Sequence, residues 1–307
     1  MTMDFEDVIS GKNITKGYAA FKLSLPELHV PKGFATALIG ENGAGKTTLL
    51  DILAGIRLDA KGEVTYFGKY QGVESDPYVK NAIGYLGGGN YYLPQWTVSQ
   101  VCDITKILFD SFDQKRFDAI AEILALDYKS YGRNTKKVSE LSEGNKVKLM
   151  LSAIIARKTQ MLMLDEPASP LDPLMRDRLC DIIREYLNNG QGERSVFFST
   201  HNVADMESVT DYVMIMEQGQ IVEEGFVEDL KEKYIVIKGE AEDAKAARNI
   251  LYSISEGNYG FSGLCLADRL NELAGLKIQA ERTTLSDICV GVMKHHSRLK
   301  LTEGIEI

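Results

Sequence analysis

Gly40-Glu41-Asn42-Gly43-Ala44-Gly45-Lys46-Thr47 is the stretch that decides the fold. It reads Gly-x-x-x-x-Gly-Lys-Thr, preceded by the apolar run Phe34-Ala35-Thr36-Ala37-Leu38-Ile39 and followed by a helix-forming run from Thr47 to Ala54. Strand, glycine-rich turn and helix in that order make a phosphate cradle. The glycines let backbone N–H groups turn inward, and the positive end of the helix faces the anion. In such a cradle Lys46 reaches the β- and γ-phosphates of a nucleotide, Thr47 ligates Mg²⁺, and Thr48 closes the loop. The plainer alternative is a glycine-rich turn with no ligand; the flanking strand and helix favour the nucleotide.

The rest of the chain narrows the setting. With 307 residues it is long enough for one large domain or a large and a small one, and two parts fit best, 1–233 and 234–307. A net charge of −9 and a pI near 5.1 argue against a surface built to adhere to nucleic acid, so no nucleic-acid partner is expected. Cys102, Cys180, Cys265 and Cys289 are widely spaced with no Cys-x-x-Cys pair, which suits a reducing cytosol rather than a zinc or redox motif. The acidic start Met1-Thr2-Met3-Asp4-Phe5-Glu6-Asp7 is unlike a signal peptide, and no apolar run approaches a membrane span. If membranes matter, another chain supplies the spans.

Alternating patterns from Val8 to Tyr18, Phe21 to Leu28 and Gly62 to Phe67 predict a small antiparallel sheet beside the loop, with Gly68 as a turn. Val98, Val101, Ile104, Ile107 and Leu108 recur at helix spacing, as do Phe117, Ile120, Ile123 and Leu124 behind an Asp113 cap, so an all-helical insertion is expected over about 97–157. Strand and helix then alternate through Met161–Leu164, Pro173–Leu187, Ser195–Ser199 and Tyr212–Met216. That rhythm predicts an α/β core with a doubly wound, mostly parallel sheet. Past a helical link at Val227–Lys233, strands are expected at Tyr234–Lys238, Gly260–Leu266 and Leu276–Ala280, and helices at Ala241–Ile254, Asp268–Ala274 and Leu285–His295. This is a small C-terminal α/β appendage.

Further segments, in order after the phosphate loop, resemble the ATP-binding subunit of an ATP-binding cassette (ABC) transporter over roughly residues 5–225. Met161-Leu162-Met163-Leu164-Asp165-Glu166-Pro167 resembles the family's Walker B strand, and the resemblance makes Asp165 a Mg²⁺ ligand and Glu166 the general base. Taken alone, an apolar strand ending in Asp-Glu is common. Leu141-Ser142-Glu143-Gly144-Asn145 resembles the signature Leu-Ser-Gly-Gly-Gln, in which Ser142, Gly144 and Asn145 would grip the γ-phosphate of ATP held by the opposite subunit. Its bland counterpart is a Ser142 cap on an amphipathic helix. Glu143 departs from the pattern, and a carboxylate there is expected to point away from phosphate.

Ser169-Pro170-Leu171-Asp172 is similar to the D-loop, and Ser199-Thr200-His201 places His201 as the γ-phosphate switch at the end of a strand. Tyr18 matches the aromatic that stacks on adenine, with an ordinary strand tyrosine as its equal rival. The family's glutamine is missing: Gly87-Gly88-Gly89 follows Ala82-Ile83-Gly84-Tyr85-Leu86, and the nearest candidate, Gln95, lies beyond Tyr91, Tyr92 and Pro94 next to Trp96. That aromatic cluster is either a docking surface for a permease helix or packed core. Thr284-Leu285-Ser286-Asp287-Ile288-Cys289-Val290 is similar to a segment ending many ABC-2 type exporter ATPases.

The resemblance implies a P-loop NTPase core and an ATPase that uses ATP and Mg²⁺ as a homodimer or heterodimer with another cassette. Such a subunit sits on the cytoplasmic face of the membrane with separately encoded transmembrane permease subunits, and for this chain export is the expected direction. The rival from another class is a soluble ABC ATPase that assembles or remodels proteins, or serves nucleic-acid metabolism, without a permease. A GTPase would need an Asn-Lys-x-Asp base reader, and Asn145-Lys146-Val147-Lys148 lacks the aspartate.

Overall fold

Strands β1 (Asp7–Gly17) and β2 (Lys22–Pro31) pair antiparallel across a tight turn at Tyr18, and both alternate buried and outward residues as a half-buried sheet must. The computed structural model describes residues 5–72, 76–89, 92–129 and 135–296. Strand β3 (Ala35–Ile39) is buried on both faces, which is why its sequence is an unbroken apolar run. Helix α1 (Lys46–Leu53) starts at Gly45, whose φ of 111° is left-handed backbone that glycine adopts at little cost. Strands β4 (Lys61–Tyr66) and β5 (Tyr70–Gln71) complete a four-stranded antiparallel sheet in the order β2-β1-β4-β5, with Gly68 turning between them. A short helix that the pattern did not announce, α2 (Pro77–Ala82), starts on an Asp76 cap with Pro77 in its first turn and leads into β6 (Ile83–Leu86).

The insertion is built from α3 (Val98–Leu108), α4 (Gln114–Ile123) and α5 (Glu143–Ile155). The expected caps are present at Asp113, which accepts from the N–H groups of Lys115 and Arg116, and at Ser142, which accepts from that of Asn145, and α3 adds a Thr97/Gln100 capping box. The buried stripe of α3 differs from the expected one. It is Val98, Val101, Cys102 and Thr105, while Ile107 and Leu108 are 79% and 66% exposed. The helix packs one face on α4 and α5 and turns its second apolar edge outward.

Strand β7 (Met161–Leu164), helix α6 (Pro173–Asn188), strand β8 (Ser195–Thr200) and the hairpin β9 (Tyr212–Glu217) and β10 (Gln220–Phe226) finish the main sheet. Its six strands run β10-β9-β3-β8-β7-β6, all parallel except edge strand β10.

After α7 (Val227–Lys233) come β11 (Tyr234–Glu240), the single-turn helix α8 (Ala244–Ala247), β12 (Ser253–Gly257), β13 (Gly260–Leu266), β14 (Ile278–Glu281) and α9 (Leu285–His296). They form an antiparallel sheet ordered β12-β13-β11-β14. The expected helix over 241–254 is therefore mostly wrong: it shrinks to a 3₁₀ turn plus α8, and its end joins β12. The edge of β13 recruits Ser253–Gly257 through a Gly257–Gly260 hairpin, a tertiary demand that outweighs local helix pattern. The expected helix at 268–274 is 3₁₀, Ala267–Leu273. Helix α9 does not stand apart: Leu285, Ile288, Cys289 and Val292 share one buried cluster with Val209, Val213 and Ile215 of the larger part. Among the described residues no helix is long and apolar enough to cross a membrane.

Candidate nucleotide site

Sheet register assembles the site. The pairing of Ile39 with Thr200 sets Gly40 beside His201, that of Leu164 with Phe198 sets Asp165 beside Ser199, and that of Leu86 with Leu164 sets the tri-glycine segment beside Asp165. The loop after β3, both carboxylates after β7 and the histidine after β8 thus meet at the carboxyl edge of a parallel sheet. A cleft of about 390 Å³ there is lined by Asn42, Gly43, Gly45, Lys46, Thr47, Thr48, Glu166 and His201, with Phe21 and Ser169. The first loop glycine has its own reason: a Cβ on Gly40 would lie 2.3 Å from the Met216 carbonyl oxygen, so the loop can pack on β9 only without a side chain.

Lys46 is buried and donates to the carbonyls of Gly40 at 2.7 Å and Glu41 at 3.2 Å, which aims the ammonium across the loop. Its Nζ is 3.5 Å from Oε1 of Glu166, whose Oε2 is 2.7 Å from Nδ1 of His201. Glu166 thus stands between a cation suited to phosphate and an imidazole suited to positioning a proton. Its backbone is strained: φ is 49°, a left-handed conformation that costs a non-glycine residue about 1–3 kcal/mol. Ser199 holds it there. The Ser199 hydroxyl donates to Oδ1 of Asp165 at 2.5 Å and accepts the Glu166 N–H at 2.9 Å, tying both carboxylate residues to β8. Motif reading found Ser199 only as a neighbour of His201; its role needed the register.

Thr47 donates to Oδ2 of Asp165 at 2.8 Å. A hydroxyl and a carboxylate oxygen so placed are the hard donors that Mg²⁺ takes together with phosphate oxygens, so this pair fits that ion.

The structure separates the remaining candidates from this centre. Ser142, Gly144 and Asn145 do not line the cleft; Ser142 caps α5, accepting from the Asn145 side chain at 3.2 Å as well. Gly144 packs on the D-loop segment, where a Cβ would lie 2.9 Å from the Pro170 carbonyl oxygen. Glu143 is exposed and pairs with Lys146 at 2.6 Å, as a residue turned to solvent does. Tyr18 is half-exposed and absent from the cleft lining, whereas Phe21 lines it, its ring 6.0 Å from that of Tyr18 and its edge against Gly45. Phe21 was not anticipated. The single signal was its place in the turn two residues past Ala19.

A Cβ on Gly88 would sit 3.8 Å from Oδ2 of Asp165 and touch nothing else within 4 Å, so the tri-glycine segment leaves the Asp165 side of the site open. Tyr91 lies outside the described residues. Tyr92 and Trp96 are half-buried and, with Tyr85, Leu108, Phe109 and Arg157, line a second cleft of about 270 Å³ between the main sheet and the helical insertion. Arg157 anchors that cleft, its guanidinium 3.5 Å from the Phe109 ring centroid and donating to the carbonyls of Lys80, Asn81 and Ile83; burial pulls its pKa down to about 10.

A sequence profile described as ABC transporter matches residues 23–169. The chain carries an ABC transporter domain, and its homologues are ABC transporter ATP-binding proteins. It is 31% identical over 70% of its length to an uncharacterized ABC transporter ATP-binding protein of Synechocystis sp., and 32% over 67% to the ABC transporter ATP-binding protein YxlF of Bacillus subtilis. It is also 28% identical over 82% to the bacitracin transport ATP-binding protein BcrA of Enterococcus faecalis. The alignments span 60%, 66% and 80% of those proteins, so this ABC protein spans less than two thirds of the first two. Solved ABC cassettes share its fold. An ATP-binding subunit of an ABC transporter aligns with a TM-score of 0.61 at 21% identity, covering 73% of this chain and 92% of that one. The dimeric bacterial cassette MJ0796 aligns at 0.60 and 19%, covering 71% and 98%.

Proposed function

We propose that the chain is the Mg·ATP-hydrolysing subunit of a membrane exporter: it closes in pairs around ATP and drives a separately encoded permease from the cytoplasmic face of the membrane. The observation that carries the reading is the convergence of Lys46, Thr47 and the Glu166–His201 pair in one cleft, with Asp165 behind its lining hydrogen-bonded to Thr47. The loop amides and Lys46 bind and neutralise the β- and γ-phosphates. Thr47 and Asp165 would hold Mg²⁺, which supplies Lewis-acid neutralisation of phosphate charge. Glu166 takes a proton from water aimed at the γ-phosphorus, and His201 orients the Glu166 carboxylate and the γ-phosphate. Ser142, Gly144 and Asn145 sit outside their own cleft, which supports a dimer in which each signature segment serves the other copy's ATP. Tyr18 remains the proposed adenine platform.

Export is supported by the similarity to BcrA, a bacitracin transport protein, and by the Thr284–Val290 segment at the head of α9. The test is phosphate release from ATP by the purified chain. Release that needs Mg²⁺ supports the reading, and none with or without Mg²⁺ overturns it.

A further inference from the structure

A third and larger cleft, about 730 Å³, adjoins the nucleotide cleft and shares Phe21, Asn42 and Gly43 with it. On its floor lies Glu217, the last residue of β9, which is 8% exposed, and its Oε2 has no hydrogen-bond partner among the described residues. Gln218 hydrogen-bonds the carboxylate; burial and the nearby Glu41 charge raise its pKa. An under-paired buried carboxylate is costly, and the cost falls when a cation reaches it. Lys22 is the one cation of the cleft's own lining, and it is exposed. Nor is this the base pocket: Tyr18, with Lys16 and Arg57 over its ring, lies outside the lining.

We propose that this cleft receives a second copy of the chain, with Lys148 on α5 of that copy placed against Glu217 and Glu41. The inference rests on the head-to-tail dimer above, because the signature segment that begins α5 must reach the other copy's phosphate loop, which forms one wall of this cleft. Charge complementarity selects the occupant. Two carboxylates against one cation line the cleft, and α5 presents Lys146 and Lys148 behind its signature turn. Lys146 is occupied by Glu143, and Lys148 is half-exposed one turn from the phosphate-gripping residues.

Two measurements in the Glu166→Gln background test this. Cysteines replacing Lys148 and Glu217 in one chain should be joined between copies by a short thiol cross-linker when ATP is added; the native Cys102, Cys180, Cys265 and Cys289 are all buried and give little background. In sedimentation, Glu217→Gln and Lys148→Gln should each weaken the ATP-dependent dimer by roughly tenfold or more, and the double variant should be little worse than either single one. An ATP-dependent dimer with no cross-link and additive or negligible single effects overturns the pairing and leaves the dimer reading intact. If the Glu166→Gln parent forms no ATP-dependent dimer, both readings fall.

Discussion

At the scale of single residues, the proposed chemistry rests on Lys46, Thr47, Asp165, Glu166 and His201, and Ser199 ties Asp165 and Glu166 to β8. Glu166→Gln keeps the shape of the site but removes its proton acceptor, so turnover should drop by at least ~100-fold while ATP still binds; steady-state phosphate release beside calorimetry measures both, and unchanged turnover would remove Glu166 from its role. Lys46→Ala should instead weaken binding of Mg·ATP itself, because the buried ammonium neutralises phosphate in the ground state as well as in the transition state. Calorimetry separates the two variants. Ser199→Ala strips one buried hydroxyl from Asp165 and from the strained backbone of Glu166, so stability should fall by about 1–3 kcal/mol and turnover with it. A Ser199→Ala protein that loses stability but turns over at the parent rate would show that Glu166 is held by other means. Lys46 and Thr47 were legible from the phosphate-loop pattern itself, whereas Asp165, Glu166 and His201 were picked out by the resemblance to the ABC family, since a strand ending in Asp-Glu or a lone histidine is common. Ser199 and Phe21 were not legible, since Ser199 bonds Asp165 34 residues away across the sheet and Phe21 meets Gly45 of the phosphate loop, a distant part of the chain.

At the scale of elements, the joint between the main sheet and the helical insertion is the part of the site most open to change. The three glycines after β6 offer no side chain to Asp165, and a Cβ at position 88 would meet no other described atom within 4 Å. Gly88→Gln is therefore expected to fold, since the space is free, and to raise the isolated chain's ATPase rate by letting an amide reach the Asp165 shell; an unchanged rate would show that the open wall is not what limits hydrolysis. Trp96 is partly buried: it packs against the buried cluster of the insertion and lines the cleft together with exposed Leu108. Trp96→Ala should keep basal hydrolysis and lose stimulation by a permease; equal loss of both, or unfolding, would assign Trp96 to the core of the insertion. Apolar residues at helix spacing made α3 and α4 readable from sequence, with Asp113 as the cap of α4. Which edge of α3 is buried was not, because two apolar stripes run along it and only packing against α5 chooses between them.

At the scale of the whole molecule, the C-terminal sheet and the larger part share a core through α9. Ile288→Ala, at a fully buried position, should cost about 2–5 kcal/mol and lower the unfolding midpoint of the chain in a single cooperative transition; a separate, earlier transition confined to the C-terminal part would show that α9 belongs to that part alone. By itself the sequence determined the phosphate loop, the order of the strands and helices that carry the site, and the parallel character of the main sheet, because glycine spacing, unbroken apolar runs and helix caps are local and each has few physical solutions. Tertiary structure alone decided the sheet register that brings Ser199 under Asp165 and Glu166, the conversion of the end of the expected 241–254 helix into the start of β12 at Ser253, and the seating of α9 on the larger part. These depend on which distant surface is left uncovered, and an edge of β13 or a bare apolar face beside β9 exists only once the rest of the chain has folded.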